Sequence, residues 1–294
     1  MQALRTSADQ WRVLAAVVDQ GGFAQAAAQL HRSQSAVSYT LAQLQESLGV
    51  RLLEIRGRRA VLTAAGAALL LRSRSVVEQF AQLEALARAI DAGWESDLSL
   101  VVDAAFPQAR LLHILGQLRN SCPHTTLSLA DAVLSGAEDA ITERRADVVV
   151  TTRVPPGFLG QWLMDVTMVA VAAPAHPLHG LQRTLSADDL AQHTQMVVRD
   201  SGRARRDEGW LGAQQRWTVA ALEASHAAVK AGLAYAWLPA HLVADDIAAG
   251  ALRPLPLATG GERRMPLHVV LVKGEAAGPA ARMALELFQE HQPA

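Results

Sequence analysis

Residues 23–48 read FAQAAAQLHRSQSAVSYTLAQLQESL, and their spacing decides the first part of the fold. Phe23, Ala26, Ala27 and Leu30 fall at i, i+3, i+4 and i+7, the stripe of a helix packed along one side. Val37, Leu41, Leu44 and Leu48 make a second stripe of the same kind. Between them, Ser33 offers a hydroxyl that can accept from the first-turn amides of the second helix. The outward face of that helix carries Gln34, Ser35, Ser38, Tyr39 and Gln43, hydrogen-bonding side chains without a carboxylate. Such a face suits a DNA major groove, where side chains of this kind read base edges. An ordinary helical hairpin with a solvated face fits the spacing equally well.

The next segment separates the two. Gly49 is followed by RLLEIRGRRAVL, two short apolar runs about Gly57 with Arg51, Arg56, Arg58 and Arg59 around them. A basic hairpin of this kind can lie along a phosphate backbone, because the guanidinium fork pairs with two phosphate oxygens at once. Helix, turn, helix and basic hairpin in that order are far more specific than any one part.

Residues 9–66, DQWRVLAAVVDQGGFAQAAAQLHRSQSAVSYTLAQLQESLGVRLLEIRGRRAVLTAAG, closely resemble the winged helix-turn-helix of LysR-type transcriptional regulators. The GxF-xxAA-xxL-xxSQ-xAVS core, the LGV-RLL segment and the LTxAG opening a long helix carry the resemblance, which extends over the whole chain in length and layout. Three positions depart from the family pattern. Ser35 stands where Pro is usual, Tyr39 where a basic residue is common, and Ile55 where Arg is common, with Arg56 beside it. The resemblance implies that Gln34, Ser35, Ser38 and Tyr39 face base edges or nearby phosphates. It adds Gln25 to the DNA-binding set, and Ser33, Arg51, Arg56 and Arg58 as mainly phosphate contacts.

Charge is distributed accordingly. The chain as a whole carries −1, but residues 1–60 hold seven Arg against four acids, residues 61–93 three of each, and residues 94–294 seventeen basic against twenty-one acidic groups. The positive end coincides with the helix-turn-helix, as attraction to DNA requires. An excess of three is modest, so two or more copies on one DNA would raise occupancy through effective concentration.

Thr63 can cap a helix from about Ala64 to Ile90, with Gly93 beyond its end. Val76, Phe80, Leu83, Ala87 and Ile90 repeat at 4, 3, 4 and 3 residues, a heptad seam. At ~1.5 Å per residue such a helix is about 40 Å long, more than a small winged domain covers. A mate in a second subunit buries the stripe most simply, and packing on the chain's own C-terminal part is the other way. The resemblance favours the first, a linker helix that dimerises the DNA-binding domains.

After Trp94 short apolar strands alternate with amphipathic helices. Strands at 98–102, 126–130 and 147–152, with helices near 108–119 and 134–144, make βαβαβ, the signature of a parallel sheet. A second set follows over 162–250, and HVVLVK at 268–273 with a helix from about Pro279 to His291 returns to the first. The expected fold is an N-terminal all-α winged helix-turn-helix with a long linker helix, then an α/β, two-lobed, periplasmic-binding-protein-like effector domain. The expected limits are 1–63, 64–92 and 93–294. Lobe 1 would take about 93–165 and 266–294 and lobe 2 about 166–265, crossing near Asp165–Met168 and Arg264–Pro266.

Ligands in such folds bind between the lobes, at strand ends and helix N-termini. The candidate lining is Asp103, Ala104, Ala105 and Phe106; Asp131; Thr151 and Thr152; Arg199, Asp200 and Ser201; Leu222, Glu223 and Ser225; and Trp237. Many family members place Ser or Thr in the first of these loops to anchor a carboxylate, where this chain has Ala104-Ala105-Phe106. Arg199 is read as either an anion clamp or a surface Arg paired with Asp200 or Asp207. Arg203, Arg205 and Arg206 read as a solvated loop run.

No GxSxG, P-loop, GxGxxG after a strand, HExxH or paired CxxC occurs, so an enzyme is not expected. His176 and His179 sit in AAPAHPLHG, a Pro/Gly turn without an acidic or Cys partner, which reads as a polar turn and not a metal site. Cys122 is the single cysteine, which rules out an intrachain disulfide and reads as an inert thiol. Neither a secretory leader pattern nor an apolar run approaching ~18 residues is present, giving a cytoplasmic expectation and no membrane partner. The resemblance implies promoter DNA, further copies of the chain (homodimer or homotetramer), RNA polymerase and a small-molecule effector as partners. It implies no resident cofactor or metal. A solute-binding module without DNA binding, and an enzyme using the cleft, are the rival readings.

Overall fold

The computed structural model describes residues 4–56, 59–209 and 212–290, in two compact units, Met1–Ala92 and Gly93–Ala294. The first begins with α1 (Ala8–Asp19), α2 (Phe23–Gln29) and α3 (Gln34–Leu48). Ser7 and Gln10 form a capping box on α1, and Ser33 Oγ accepts from the Ala36 amide to start α3. Gly49, with φ of 67°, ends α3 in the left-handed conformation that glycine adopts without a Cβ clash. Ala26, Ala27, Val37, Leu41 and Leu44 are buried with Val13, Leu14 and Val17 of α1, while Phe23, Leu30 and Leu48 border this core. Each fully buried aliphatic side chain contributes ~1.5–3 kcal/mol over an exposed one, so the two stripes fix how the three helices cross.

The hairpin follows as β1 (Leu53–Arg56) and β2 (Arg59–Leu62), paired antiparallel from Leu53↔Leu62 to Arg56↔Arg59. Gln45 Oε1 on α3 accepts the amides of Leu52 and Leu53 at 2.8 and 3.2 Å, tying the hairpin to the reading helix. The long helix α4 runs from Ala64 to Asp91. Thr63 caps it, donating its hydroxyl to the Arg51 carbonyl at 2.7 Å and accepting the Gly66 amide at 2.9 Å. A Cβ on Gly66 would stand 2.0 Å from the Leu52 carbonyl oxygen, so the small residue lets the helix start directly against the hairpin's backbone.

The second unit opens with β3 (Asp97–Asp103), α5 (Gln108–Ser121), β4 (Thr126–Ala132), α6 (Ser135–Thr142) and β5 (Val148–Thr151). β3 pairs in parallel with both β4 and β5. Then come β6 (Gly160–Ala172), α7 (Pro177–Gly180), α8 (Ala187–Ala191), β7 (Gln195–Val198), β8 (Arg216–Val219), α9 (Leu222–Lys230), β9 (Ala236–Pro239), α10 (Ala240–Ala248), β10 (Arg253–Pro254), β11 (Glu262–Leu271) and α11 (Pro279–Glu290). The main sheet runs β10-β6-β11-β5-β3-β4, with β9 also on β6, and β7–β8 form a separate parallel pair.

β6 and β11 are the longest strands and pair antiparallel along their lengths, with Pro266 opposite Asp165 and a register shift at Leu267/His268. One end of this ribbon packs in the core of Leu100, Ile114, Leu163, Val269 and Phe288. The other end joins a second core of Val171, Met196, Val229 and Leu238. Two packed bodies therefore share one two-stranded backbone, and a cleft lies between them.

Candidate functional site

In the first unit, the N-terminal half of α3 is exposed except for Val37. Gln34, Ser35, Ser38 and Tyr39 lie together on this face, and Tyr39 is 66% exposed, a large area for an aromatic ring to leave in water. Gln43 Nε2 donates to the Tyr39 hydroxyl at 2.9 Å, and the Ser33 and Ser35 hydroxyls lie 3.0 Å apart. Gln25 and Arg51 are also exposed. Arg56 has its backbone in β1, whereas Arg58 lies outside the described residues. One basic group in the turn is already engaged. Arg32 forks onto Asp9 at 2.8 and 3.1 Å, and this hydrogen-bonded pair holds the Asp9 carboxyl below its usual range. The clamp fixes the turn against α1, a role that sequence spacing did not suggest.

The seam residues Val76, Phe80, Leu83, Ala87 and Ile90 are all exposed along α4. Phe80 is 46% and Leu83 61% accessible, an uncovered apolar stripe on a helix whose buried positions, Gly66, Leu70 and Ser73, sit near its start.

In the second unit the cleft has a volume of about 290 Å³. Ala104, Ala105, Thr152 and Ser225 of the expected lining face it, together with Asp103, Leu222 and Trp237. Met168, Met196, Val197, Met265, Arg263 and Arg264 complete much of the wall and were not foreseen, because mid-strand residues carry no end-of-strand signal. The remaining candidates lie elsewhere. Phe106 turns into the core and meets Phe288 edge-on at 5.5 Å. Thr151 is fully buried and closes its own turn, donating to the Arg153 carbonyl and accepting the Arg153 amide. Asp131 is exposed on the edge strand β4, and Glu223 is exposed on α9 outside the lining.

Arg199 and Ser201 border a separate surface hollow with Asp200 and Arg206. This loop is a clasp between the lobes. Asp200 accepts the Ser135 hydroxyl at 2.6 Å and its amide at 3.0 Å, placing a carboxylate at the N-terminus of α6. Burial opposes that charge, but the Ser135 hydroxyl and the amides of Gly202 and Arg206 outweigh it and hold the pKa below the ordinary value. Arg206 pairs with Glu138 through both terminal nitrogens, one at 2.9 Å, and Arg203 pairs with Glu143 at 2.6 Å. The arginine run is therefore bound to the opposite lobe in part, a correction to the solvated reading. Its partners lie some sixty residues away in sequence, beyond what local pattern reveals.

His176 caps α7 by accepting the Leu178 amide at Nδ1, and burial pushes its pKa down to about 4, with the neighbouring His193 and His179 adding to the shift. It is a neutral structural imidazole. Burial likewise raises the Cys122 thiol, aided by Glu95, and keeps it protonated. Among the described residues, no His/Cys/Asp/Glu group of three could hold a metal ion, and no helix is long and apolar enough to cross a membrane.

Both halves match known families. Residues 8–67 fit the bacterial regulatory helix-turn-helix protein, lysR family, and residues 91–293 fit the LysR substrate binding domain. The chain is a LysR-type transcriptional regulator. Over 248 residues it is 34% identical to the probable HTH-type transcriptional regulator YhaJ of Escherichia coli K12, covering 82% of this chain and 83% of that one. It is 33% identical to PunR of the same organism over 78% of this chain and 76% of the other. CrgA of Neisseria meningitidis is 28% identical over 98% and 97%. The solved structure of CrgA superposes with a TM-score of 0.53 at 24% identity, covering 97% and 98% of the two chains, which supports the shared fold. The LysR-type regulator thus pairs a helix-turn-helix DNA-binding domain with an α/β effector-binding domain and is not an enzyme.

Proposed function

We propose that this regulator binds an imperfect inverted repeat in promoter DNA as a dimer or tetramer and is switched by a small molecule in the interlobe cleft, in the cytoplasm. The division is a reading domain to residue 63, a linker helix over 64–92 and an effector domain beyond, with lobes exchanging near residues 165 and 266. Gln34, Ser35, Ser38 and Tyr39 read bases, with Gln25, Ser33, Arg51, Arg56 and Arg58 positioning the duplex. The observation that carries this reading is the exposed, polar and carboxylate-free face of Gln34, Ser35, Ser38 and Tyr39 at the start of α3.

The exposed stripe on α4 supports pairing of two copies, since an apolar seam of this length is costly to leave in water. Paired reading helices would then occupy successive major grooves. A ligand binding one setting of the lobes better than another shifts the population of that setting, and through it DNA geometry and RNA polymerase engagement. A mobility-shift and footprinting experiment with the DNA upstream of the gene tests the reading, alongside sedimentation of the Phe80→Asp, Leu83→Asp double variant. A protected dyad site, and loss of both assembly and DNA affinity in that variant, are expected. Unchanged assembly refutes the seam, and no protected promoter refutes the operator.

A further inference from the structure

The cleft is built unlike a carboxylate pocket. At its lobe 1 end, Asp103 closes β3 and is only 6% exposed. Its Oδ1 accepts the Ala105 amide at 2.9 Å, and the carboxylate has no further hydrogen bond or ion pair among the described residues. The loop's other amides are taken as well, Ala104 by the Ala132 carbonyl at 2.8 Å and Phe106 by the Asp103 carbonyl at 2.8 Å. Ala104-Ala105-Phe106 brings no hydroxyl. The β3 loop itself therefore offers an acceptor and no free donor, so a carboxylate at that loop would meet like charge, and the donor that this lobe adds to the lining is the hydroxyl of Thr152 beyond β5.

At the lobe 2 end Ser225, in the first turns of α9, is 1% exposed and lines the cleft, and its buried Oγ has no partner among the described residues. A buried hydroxyl left unpaired costs free energy until a ligand satisfies it. Between the two ends much of the wall is apolar and deformable, with the charged side chains of Glu208, Arg263 and Arg264 on its border. Met168, Met196 and Met265 are thioethers that adapt to irregular shapes, and Trp237 offers an indole held by its Nε1 donating to the Gly260 carbonyl at 2.8 Å. The Arg263 guanidinium stands 5.0 Å over that ring. The volume of about 290 Å³ lies near the low end of the ~300–1,000 Å³ usual for ligand sites, which limits the occupant to a small molecule.

We propose that the cleft takes a small, flat, largely apolar molecule that gives an amine or N–H donor to Asp103 and an acceptor to the Ser225 hydroxyl, with no carboxylate at the Asp103 end. This rests on the cleft being the effector site. A molecule satisfying both ends bridges the lobes, so its binding energy bears directly on their setting.

The test uses the full chain and probes of one shape, para-aminobenzamide, para-methylbenzamide and para-carbamoylbenzoate with the corresponding indoles, followed by thermal shift and calorimetry. The amine members are expected to bind about tenfold or more tighter than their methyl counterparts, since a buried charged acceptor left unpaired is worth at least that factor. The carboxylates are expected not to bind. Asp103→Leu, close in size, should erase the amine preference while circular dichroism stays native. Ser225→Ala should weaken amine and methyl members alike and leave their ratio intact. Equal or tighter carboxylate binding, an amine preference surviving Asp103→Leu, or no amine member binding overturns the proposal. Carboxylate binding that Ser225→Leu abolishes overturns the donor class while leaving the cleft as the effector site; binding of any class that Ser225→Leu leaves untouched overturns the cleft reading too.

Discussion

Asp200 receives both the hydroxyl and the backbone amide of Ser135, at 2.6 and 3.0 Å, and so joins the loop after β7 to the first turn of α6 across the mouth of the cleft. Ser135 and Asp200 are both buried, and Ser201 adds a bond from the Val133 amide to its hydroxyl at 2.9 Å. The approach is so close that a Cβ on Gly202 would lie 2.3 Å from the Ser135 hydroxyl. Replacing Asp200 by Ala leaves two buried donors unpaired, at ~1–3 kcal/mol each. Hydrogen exchange at the Ser135 amide should accelerate, with little change in the core strands β3 and β5. Asp200→Asn, which keeps one carbonyl acceptor, should fall between. Unaltered protection in Asp200→Ala would mean the clasp contributes nothing to lobe setting.

Burial pushes the Asp103 carboxyl up to about 6, offset in part by the Ala105 amide. The folded chain then holds a proton that the unfolded chain has released. Between about pH 4 and 6 this group makes stability fall as pH rises, by roughly 3 kcal/mol over the whole span from the ordinary 3.8 to about 6. His176 acts in the opposite sense in the same range, because its folded value of about 4 lies below its ordinary 6.5 and stability gained from it grows with pH. Glu208, Arg263 and Arg264 border the same cleft. The difference between wild type and Asp103→Asn is therefore the readout, taken from the melting transition of the effector unit. The variant should gain relative to wild type as pH rises from about 4 to above 6. A constant difference would contradict the buried, unpaired carboxylate.

Helix period places α2, α3 and α4, because each has one apolar stripe, and hydroxyl caps at Ser33 and Thr63 mark the starts of α3 and α4. Strand ends are equally visible in the chain and bring Ala104, Ala105 and Thr152 to the cleft, and the start of α9 brings Ser225. What the chain does not show is which way a strand-end side chain turns. Phe106 lies in the same loop as Ala104, and Thr151 ends β5 beside Thr152, yet packing on Phe288 takes the first and a local turn the second. Long-range ion pairs were likewise hidden. Arg32 with Asp9 and Arg206 with Glu138 join segments with no shared period, so nothing in local spacing links them.

The proposed division of labour on the DNA face predicts two different failures. Gln34→Ala should cost ~1–3 kcal/mol and relax preference at particular base pairs, the behaviour of a base reader. Arg51→Ala should weaken binding to every sequence and reduce the salt slope by about one, the behaviour of a phosphate contact. Gln43→Ala, which releases the Tyr39 hydroxyl from its 2.9 Å bond, should alter preference less than Gln34→Ala does. Binding curves for a randomised site at several salt concentrations decide the matter. Indistinguishable profiles for Gln34→Ala and Arg51→Ala would remove the distinction between readers and anchors.

Gly66 lies inside a helix, where alanine is normally better by ~1 kcal/mol. Here the sign should reverse. A Cβ at this position would stand 2.0 Å from the Leu52 oxygen and 2.9 Å from its carbonyl carbon, both backbone atoms that cannot rotate away. The same Leu52 carbonyl accepts the Thr63 amide at 3.0 Å, so pushing it aside also disturbs the cap of α4. Overpacking of this kind costs typically ~1–3 kcal/mol, enough to outweigh the propensity gain. Gly66→Ala should lower the unfolding temperature of the N-terminal unit and weaken DNA binding, because α4 can no longer seat against the hairpin. Ala67→Gly, on the exposed side of the same turn, isolates the propensity term and should cost only its ~1 kcal/mol. If Gly66→Ala were instead the more stable protein, the close seating of α4 on the Leu52 backbone would be wrong.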